Sequence, residues 1–504
     1  MILLLVFTTT LLLLILFVII KNGETKGKWR LPPGPRTVPF LGNLHQLGND
    51  LPHISFKKLS DKYGSIMFLK LGSVPTLVVS SADVAKEIFK VHDVVFSSRP
   101  VLYAPKKLTY GCSDIAFAPY GVYWREIRKT AILELLSAKR ILSYRAVRKD
   151  EVALLIDSIR KSSSSSVPVN LSETFVCFMN NVVCQVAFGG VKYYLGESGD
   201  AGKTKFYVML RELQNLFAGF SIADFFPLMG WIHKFNGLDA RIKKSYRKLD
   251  AFFNKVIDEH INADKSSKPD VEDLVDALLF RSHKDDIQSA TLVRDQIKGI
   301  LMDIFVAGTD TSAVTLVWTM TELMRNPTAM KRAQEDVRTK VGTKDYVEES
   351  DLHKLGYVTL VIKEALRLHP PLPLLLPRET REDCTIKGYN IPKKTRVIIN
   401  AAAISKDSKY WEDPEKFRPE RFLDYNVDAR GQNFEFIPFG GGRRGCPGMN
   451  FSIVLVELVL ANLLHCFDWK MPPGMKGEEI DMQEAYGLTP HKKIPLCLVA
   501  NGRQ

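Results

Sequence analysis

Paired cysteines are missing from this chain. Its seven cysteines, Cys112, Cys177, Cys184, Cys384, Cys446, Cys466 and Cys497, are odd in number and never spaced as C-x-x-C. That pattern does not make a disulfide framework, and it argues against zinc or dithiol redox chemistry. It fits folding in a reducing compartment, with a cysteine left over for chemistry. Internal repeats are absent, and so is any linker long enough to force a domain boundary. Nucleic-acid signatures are lacking as well, both paired Cys/His spacing and glycine–aromatic RNA-binding strings. The net charge of +13 over 504 residues therefore leaves an anionic membrane surface or an acidic protein partner to explain it. Hydrophobic residues make up 46% and charged ones 25%, so disorder is not the main state.

Basic residues are also missing before the first apolar run. Met1 to Ile20 is apolar apart from Thr8, Thr9 and Thr10. About 20 such residues rise roughly 30 Å as a helix, enough to cross a bilayer core. Lys21, Lys26, Lys28 and Arg30 follow, and the positive-inside rule puts what comes after residue 20 in the cytoplasm. A cleaved signal would want a basic start and a small-x-small site, and has neither here. The expected order is a transmembrane signal-anchor at 1–20, a basic and proline-rich linker at 21–36, and one catalytic domain at 37–504. Leu31-Pro32-Pro33-Gly34-Pro35 stiffens the linker into a short spacer. With the body cytoplasmic, the sequons at Asn170 and Asn450 stay unused.

In the body, Ser65–Leu71 and Thr76–Ser80 read as two strands around Gly72-Ser73-Val74-Pro75, a hairpin. From residue 120 to about 370 the apolar periodicity is helical. The serine run Ser162–Ser166 and the stretch Ala263–Asp270 are polar breaks. Past residue 370 short β-like runs return, followed by a helix over about Pro447–Cys466. The fold class is one large, mainly α domain with small β-sheets.

Phe439-Gly440-Gly441-Gly442-Arg443-Arg444-Gly445-Cys446-Pro447-Gly448 carries the strongest chemical signal. Its glycines let backbone approach something flat. Cys446 stands just before a helix, whose free N–H groups and partial positive charge stabilise a thiolate and tune a metal bound to it. Two further strings matter. Glu364-Ala365-Leu366-Arg367 puts an acid and a base on one helix face; alone, that is usually a surface ion pair of little weight. Ala307-Gly308-Thr309-Asp310-Thr311-Ser312 interrupts a long apolar helix, Ile300–Met320, with residues that weaken a helix middle; Thr311 is able to bond back to a carbonyl.

The decapeptide resembles the haem-binding signature of the cytochrome P450 family, and the match runs from the proline hinge to the carboxyl end. Within that family the hinge and the Gly-Arg-Arg-Gly-Cys-Pro-Gly string look most like plant microsomal hydroxylases of specialised metabolism. The resemblance implies the cytochrome P450 fold and haem b with Cys446 as axial iron ligand. Phe439 and Gly448 would lie in the loop around it. Trp124, Arg128, Arg378 and Arg444 would reach the propionates. Glu364, Arg367 and Arg421 would form a buried structural triad. Asp310 and Thr311 would be the acid–alcohol pair delivering protons to oxygen. Phe305, Ala307, Leu374, Leu375, Leu376 and Leu488, with Thr489 and the loop Leu108–Phe117, would line an apolar substrate pocket.

The implied reaction inserts an oxygen atom from O2 into a hydrophobic metabolite. Its electrons come from NADPH through NADPH-cytochrome P450 reductase, with cytochrome b5 as a second candidate donor. A terpenoid is the leading substrate class; alkaloids and phenylpropanoids or coumarins remain open. Arg125, Lys129, Lys139 and Arg140 are candidates for a reductase-binding patch. The implied location is the endoplasmic reticulum membrane. The family pattern is departed from at Ser405-Lys406-Asp407-Ser408-Lys409-Tyr410-Trp411, where many plant relatives carry Gly-Arg-Asp-Pro. A reductase-independent haem-thiolate rearrangement enzyme and a non-catalytic haem protein are the rival classes; neither needs the Asp310–Thr311 pair.

Overall fold

In the computed structural model, residues 30–163, 167–189, 200–219, 221–262, 273–282, 293–425 and 427–503 are described. The signal-anchor, most of the basic linker, Ser164–Ser166 and the 263–270 break lie outside them.

The longer helices are α1 (Pro52–Tyr63), α2 (Val122–Ala131), α3 (Arg145–Ser163), α4 (Leu171–Ala187), α5 (Asp200–Phe217), α6 (Leu238–Asn262), α7 (Arg294–Arg325), α8 (Pro327–Val341), α9 (Gly356–Leu368) and α10 (Met449–Cys466). The strands are β1 (Ile66–Leu71), β2 (Val74–Val79), β3 (Val169–Asn170), β4 (Arg378–Glu379), β5 (Cys384–Ile386), β6 (Tyr389–Ile391), β7 (Arg396–Ile399), β8 (Phe467–Lys470), β9 (Glu484–Ala485), β10 (His491–Lys492) and β11 (Cys497–Gly502). The largest sheet runs β1-β2-β7-β4, with β2 and β7 parallel. Among the described residues, a small sheet β3-β11-β8 and the hairpins β5–β6 and β9–β10 make up the remaining sheets.

The first hairpin turns more tightly than its sequence suggests. Leu71 pairs with Val74, so the turn is Gly72-Ser73 alone, with Gly72 at φ 61°, as two-residue hairpin turns require. Pro75 is already in the strand. Pairing with β7 starts only at Thr76, so the missing proline N–H falls before that ladder begins.

Helices α7 and α10 form the centre. Both are long and apolar enough to span a membrane, but most of the apolar stretch of each is buried in protein, which makes them core helices here. α7 runs over 32 residues, longer at both ends than its apolar stretch, and stops at Asn326-Pro327, where proline disfavours helix in the residue before it. Four hydroxyls on α7 bond back one turn: Thr311, Thr315, Thr319 and Thr321 each reach the carbonyl of the residue four earlier, at 2.7–2.8 Å. Back-bonding of this kind lets a buried helix carry these four threonines; Thr309 Oγ1, by contrast, is buried without a partner. α10 begins at Met449 rather than Pro447, with Gly448 as N-cap.

Candidate active site

The cysteine loop is a set of local bonds. Cys446 N–H donates to the Phe439 carbonyl at 2.9 Å, Gly440 N–H to Ile437 and Gly445 N–H to Gly442. The glycines have separate reasons. Gly442 sits at φ 64° against Asp93, and a Cβ on Gly441 would meet the Phe89 ring at 2.9 Å. Phe439 packs on the central core. The Cys446 sulfur accepts from the N–H groups of Gly448 and Met449 at the start of α10. Burial pushes its thiol up; those two N–H groups and Arg128 pull it down. Iron ligation would remove that proton outright. All seven cysteines are free.

Although it lies among core elements, Cys446 is accessible. On α7, Ala307 is likewise exposed in the middle of a buried helix. The two elements touch where Ser312 Oγ meets Ser452 Oγ at 2.9 Å, so α7 and α10 stand together just beyond both open residues. Gly308 has a different role from its neighbour. A Cβ there would meet Val183 of α4 at 3.0 Å, so its smallness serves the α4–α7 contact.

A nest of buried arginines borders the loop. Arg444 donates to the carbonyls of Ser97, Ile115 and Ala118 at 2.6–3.2 Å, Arg378 to Gly441 at 2.7 Å and Arg128 to Gly445 at 2.6 Å. Trp124 Nε1 donates to Ile115 at 3.0 Å, and the Arg444 guanidinium lies 4.0 Å from its ring centroid. Arg99 is a fourth member that sequence reasoning missed; it donates to Ala116, Leu376 and Pro377. An arginine before Pro100 has no spacing signal, and only the fold buries it here. Burial and mutual repulsion lower these cations: Arg444 to about 9, Arg378 to about 10, mainly by burial, and Arg99 well below the usual arginine value. Asp93, 3.8 Å from Arg378, offsets little of that charge. Like charges gathered in low dielectric call for an anion. The two propionates of haem would meet that need and the accessible Cys446 sulfur would offer its iron a thiolate, so the residues fit the group.

Glu364, Arg367 and Arg421 come together. Glu364 and Arg367 are fully buried and joined by two 2.8 Å bonds; Arg421 Nε reaches Glu364 at 3.0 Å. The remaining guanidinium N–H groups hold the carbonyls of Ser405, Glu412, Asp413, Pro414 and Lys416. The triad therefore grips the stretch just after the segment that departs from the family pattern, and Ser405 at that segment's start. Trp411 of that segment bonds to Glu435 and packs on Phe422 and Phe436, which carries the grip toward the cysteine loop.

Distally, Asp310 is buried with Oδ2 unpartnered, and burial pushes its carboxyl up to about 7. Thr311 is half-buried, its hydroxyl on Ala307. Sequence reasoning also missed a second carboxyl site. Asp303 accepts from the N–H groups of Ile115 and Ala116 at 2.5 and 2.9 Å, and Asp114 from Phe117 at 3.1 Å. Burial and proximity push both carboxyls up, so the pair keeps a proton. Gly299 allows the approach, since a Cβ there would meet Ser113 backbone at 3.0 Å. This docks the 113–117 loop on α7 and brings Phe117 to stack on Phe217 at 5.7 Å.

Phe117 and Phe217 line a channel with Leu374, Leu375 and Leu488. Ala307 and Phe305 are not part of it. Phe305 is fully buried, packed on Phe188, Phe206, Phe252 and Phe253; an aromatic core has claimed that position, against its expected place in the pocket. Leu376 gives its carbonyl to Arg99. In the expected basic patch Arg125, Lys129 and Lys139 are exposed, whereas Arg140 is half-buried and paired with Glu134 at 3.5 Å.

The family described as Cytochrome P450 matches residues 32–498. Strychnine-11-hydroxylase of Strychnos nux-vomica is 54% identical over 96% of this chain and 94% of its own length. Cytochrome P450 71A9 of Glycine max is 56% identical over 93% of each, and premnaspirodiene oxygenase of Hyoscyamus muticus 44% over 96% and 95%. With a haem-ready cysteine loop and a match of this extent, the chain belongs to the cytochrome P450 family and is a haem-dependent monooxygenase of the plant type.

Proposed function

We propose that the enzyme hydroxylates an apolar specialised metabolite, a terpenoid before other classes, with electrons from NADPH-cytochrome P450 reductase. The observation that carries the substrate reading is the channel lining. It is mostly apolar and its lining residues include no Asp or Glu; its cation, Arg396, is buried with Nε unpartnered. Such a lining suits a neutral skeleton, with a hydrogen-bond acceptor at most, and leaves a protonated amine without a counter-charge. The likeness to strychnine-11-hydroxylase makes alkaloids the second reading.

Haem, when bound, supplies dioxygen activation and C–H oxidation. The chain's own residues do the rest. Cys446 would offer the sulfur ligand, held by two amide donors; Arg99, Arg128, Arg378, Arg444 and Trp124 would hold the propionates. Asp310 holds and releases a proton on the distal side, and the Thr311 hydroxyl hands it toward oxygen. The stacked Phe117–Phe217 pair and the leucines exclude water and orient the substrate.

The body, residues 37–504, is read as cytoplasmic behind a single 1–20 span in the endoplasmic reticulum membrane. Exposed Phe40 and Leu41 stand beside the β1–β2 turn, and so does the segment carrying exposed Leu228, Trp231 and Phe235. Leu41 accepts from Gly72, and Ser73 donates to Phe225. One apolar face next to the anchor would rest on lipid. Arg125, Lys129 and Lys139 would receive the reductase's acidic face, with cytochrome b5 as an alternative donor.

The test uses microsomes. The reduced carbon monoxide difference spectrum is expected to show the red-shifted Soret band of thiolate-ligated iron. With added reductase, terpenes are expected to raise NADPH use and give hydroxylated product. A normal band with turnover of alkaloids alone would overturn the terpenoid reading.

A further inference from the structure

Asp310 faces away from the channel, into a cavity of about 20 Å³ that it shares with Ser172, Tyr207, Arg211, His491 and Lys492. That is space for about one water. A wider cleft of about 800 Å³ at the surface is lined by Tyr207, Arg211 and His491 as well. The Arg211–His491 contact thus stands between solvent and the inner cavity.

The Thr489 side chain, just before β10, hydrogen-bonds the Asp310 carboxyl; the other groups around it come from three elements. From α5 come Tyr207 and Arg211, from β10 His491 and Lys492, and from α4 Ser172, with Glu173 beyond Tyr207. Lys492 is turned aside: its Nζ donates to the Asp481 carbonyl and lies over the Trp318 ring. The Arg211 charge lowers Asp310 across space, but its guanidinium makes no ion pair with the carboxyl. Its Nε donates to His491 Nε2 at 2.6 Å and its Nη2 to the Lys492 carbonyl at 3.3 Å. His491 accepts at Nε2 and so is neutral; burial and the Arg211 charge push it down to about 4. Asp310 Oδ2 is left buried with no partner. A guanidinium against a carboxylate would lower it by about one to three units and leave it deprotonated at neutral pH. Such a group is a poor proton donor there.

We infer that His491 is a positioning residue for the oxygenase reaction. By holding Arg211 on its Nε2, it keeps the Asp310 carboxyl without an ionic partner and available for proton exchange with water in the cavity. This rests on the reading of Asp310 as the proton-delivering acid. The step balances simply: Asp310 gives up its proton on the α7 side, takes one from the cavity water, and that water is reprotonated from the cleft.

The experiment follows the protonated-carboxyl band of the haem-loaded full chain by infrared spectroscopy against pH, with Asp310→Asn identifying the band. His491→Leu frees Arg211 to pair with Asp310, and the band's midpoint is expected to fall by about one to three pH units. His491→Gln keeps an acceptor and is expected to stay near the parent. Arg211→Leu is expected to leave the midpoint unchanged or raise it, and in combination with His491→Leu to abolish the fall. An unmoved midpoint in His491→Leu, or an equal fall in the double variant, overturns the inference. Should His491→Leu lose its haem, a fall in Arg211→Leu alone overturns it as well. Product formed per NADPH separates the underlying reading: unchanged coupling in Asp310→Asn removes Asp310 as the acid, whatever the band does.

Discussion

The proximal loop and the distal helix both bury charge, and they treat it in opposite ways. Around Glu364 every charge is answered. Its carboxylate takes Arg367, Arg421 and the Arg418 N–H, and the spare guanidinium donors end on carbonyls. On α7 charge and hydroxyl are left unanswered: Thr309 Oγ1 and Asp310 Oδ2 have no partner, nor does Asp114 Oδ1 on the docked loop. A saturated network fixes geometry, because breaking any one contact strands a buried charge. An unsaturated one stores a group able to change its protonation. The molecule puts the saturated network behind the cysteine and the unsaturated groups on α7.

The largest effect is expected where saturation is greatest. Arg367→Ala strands Glu364 at a cost of about 3–5 kcal/mol, and little haem-bearing protein should be recovered. Arg367→Lys should do nearly as badly, since a point charge does not replace the two-bond fork. A normal haem yield in either variant would break the comparison. Cys446→Ser removes the sulfur donor but no buried charge pair. The chain should still fold, and the red-shifted carbon monoxide band should vanish.

On the distal side Thr311→Ala should keep that band, with product per NADPH falling by roughly tenfold or more while hydrogen peroxide rises. Equal coupling would mean that the unsaturated side does not deliver protons. The smallest effect is on stability against pH. Asp310 titrates at about 7 when folded, above its ordinary 3.8, so the folded state binds the extra proton. Its contribution is full below pH 4 and is lost as pH rises through 7. Relative to Asp310→Asn, the parent should lose thermal stability between those values. A flat difference would mean that Asp310 has found an ionic partner.

Legibility in the sequence followed contact range. The hydrogen-bonded Cys446 loop and the Glu364–Arg367 pair are built from neighbours a few residues apart, so their strings announced them. The same holds for α7 and α10, whose apolar stretches are long; only their ends moved, α7 stopping at Arg325 before Asn326-Pro327 and α10 starting at Met449 after Gly448, where local backbone chemistry decides. Phe305 was misplaced because an apolar residue on a buried helix reads alike whether it faces ligand or other rings. Gly308 stood out in the sequence only as a residue that weakens a helix middle; its close contact with Val183 joins residues too far apart to be read there.

By itself the sequence determined the family signature around Cys446, the Glu364–Arg367 pair that braces its loop and that the fold is mainly helical, because those depend on spacing along one chain. Only the tertiary structure decided that Arg99 joins the arginine nest, that Asp303 and Gly299 hold the 113–117 loop, and that Arg211 rests on His491 rather than on Asp310. Each of those contacts joins residues 17 to 280 positions apart. Such contacts come from the packing of whole elements, and no local pattern of residues encodes which face will meet which.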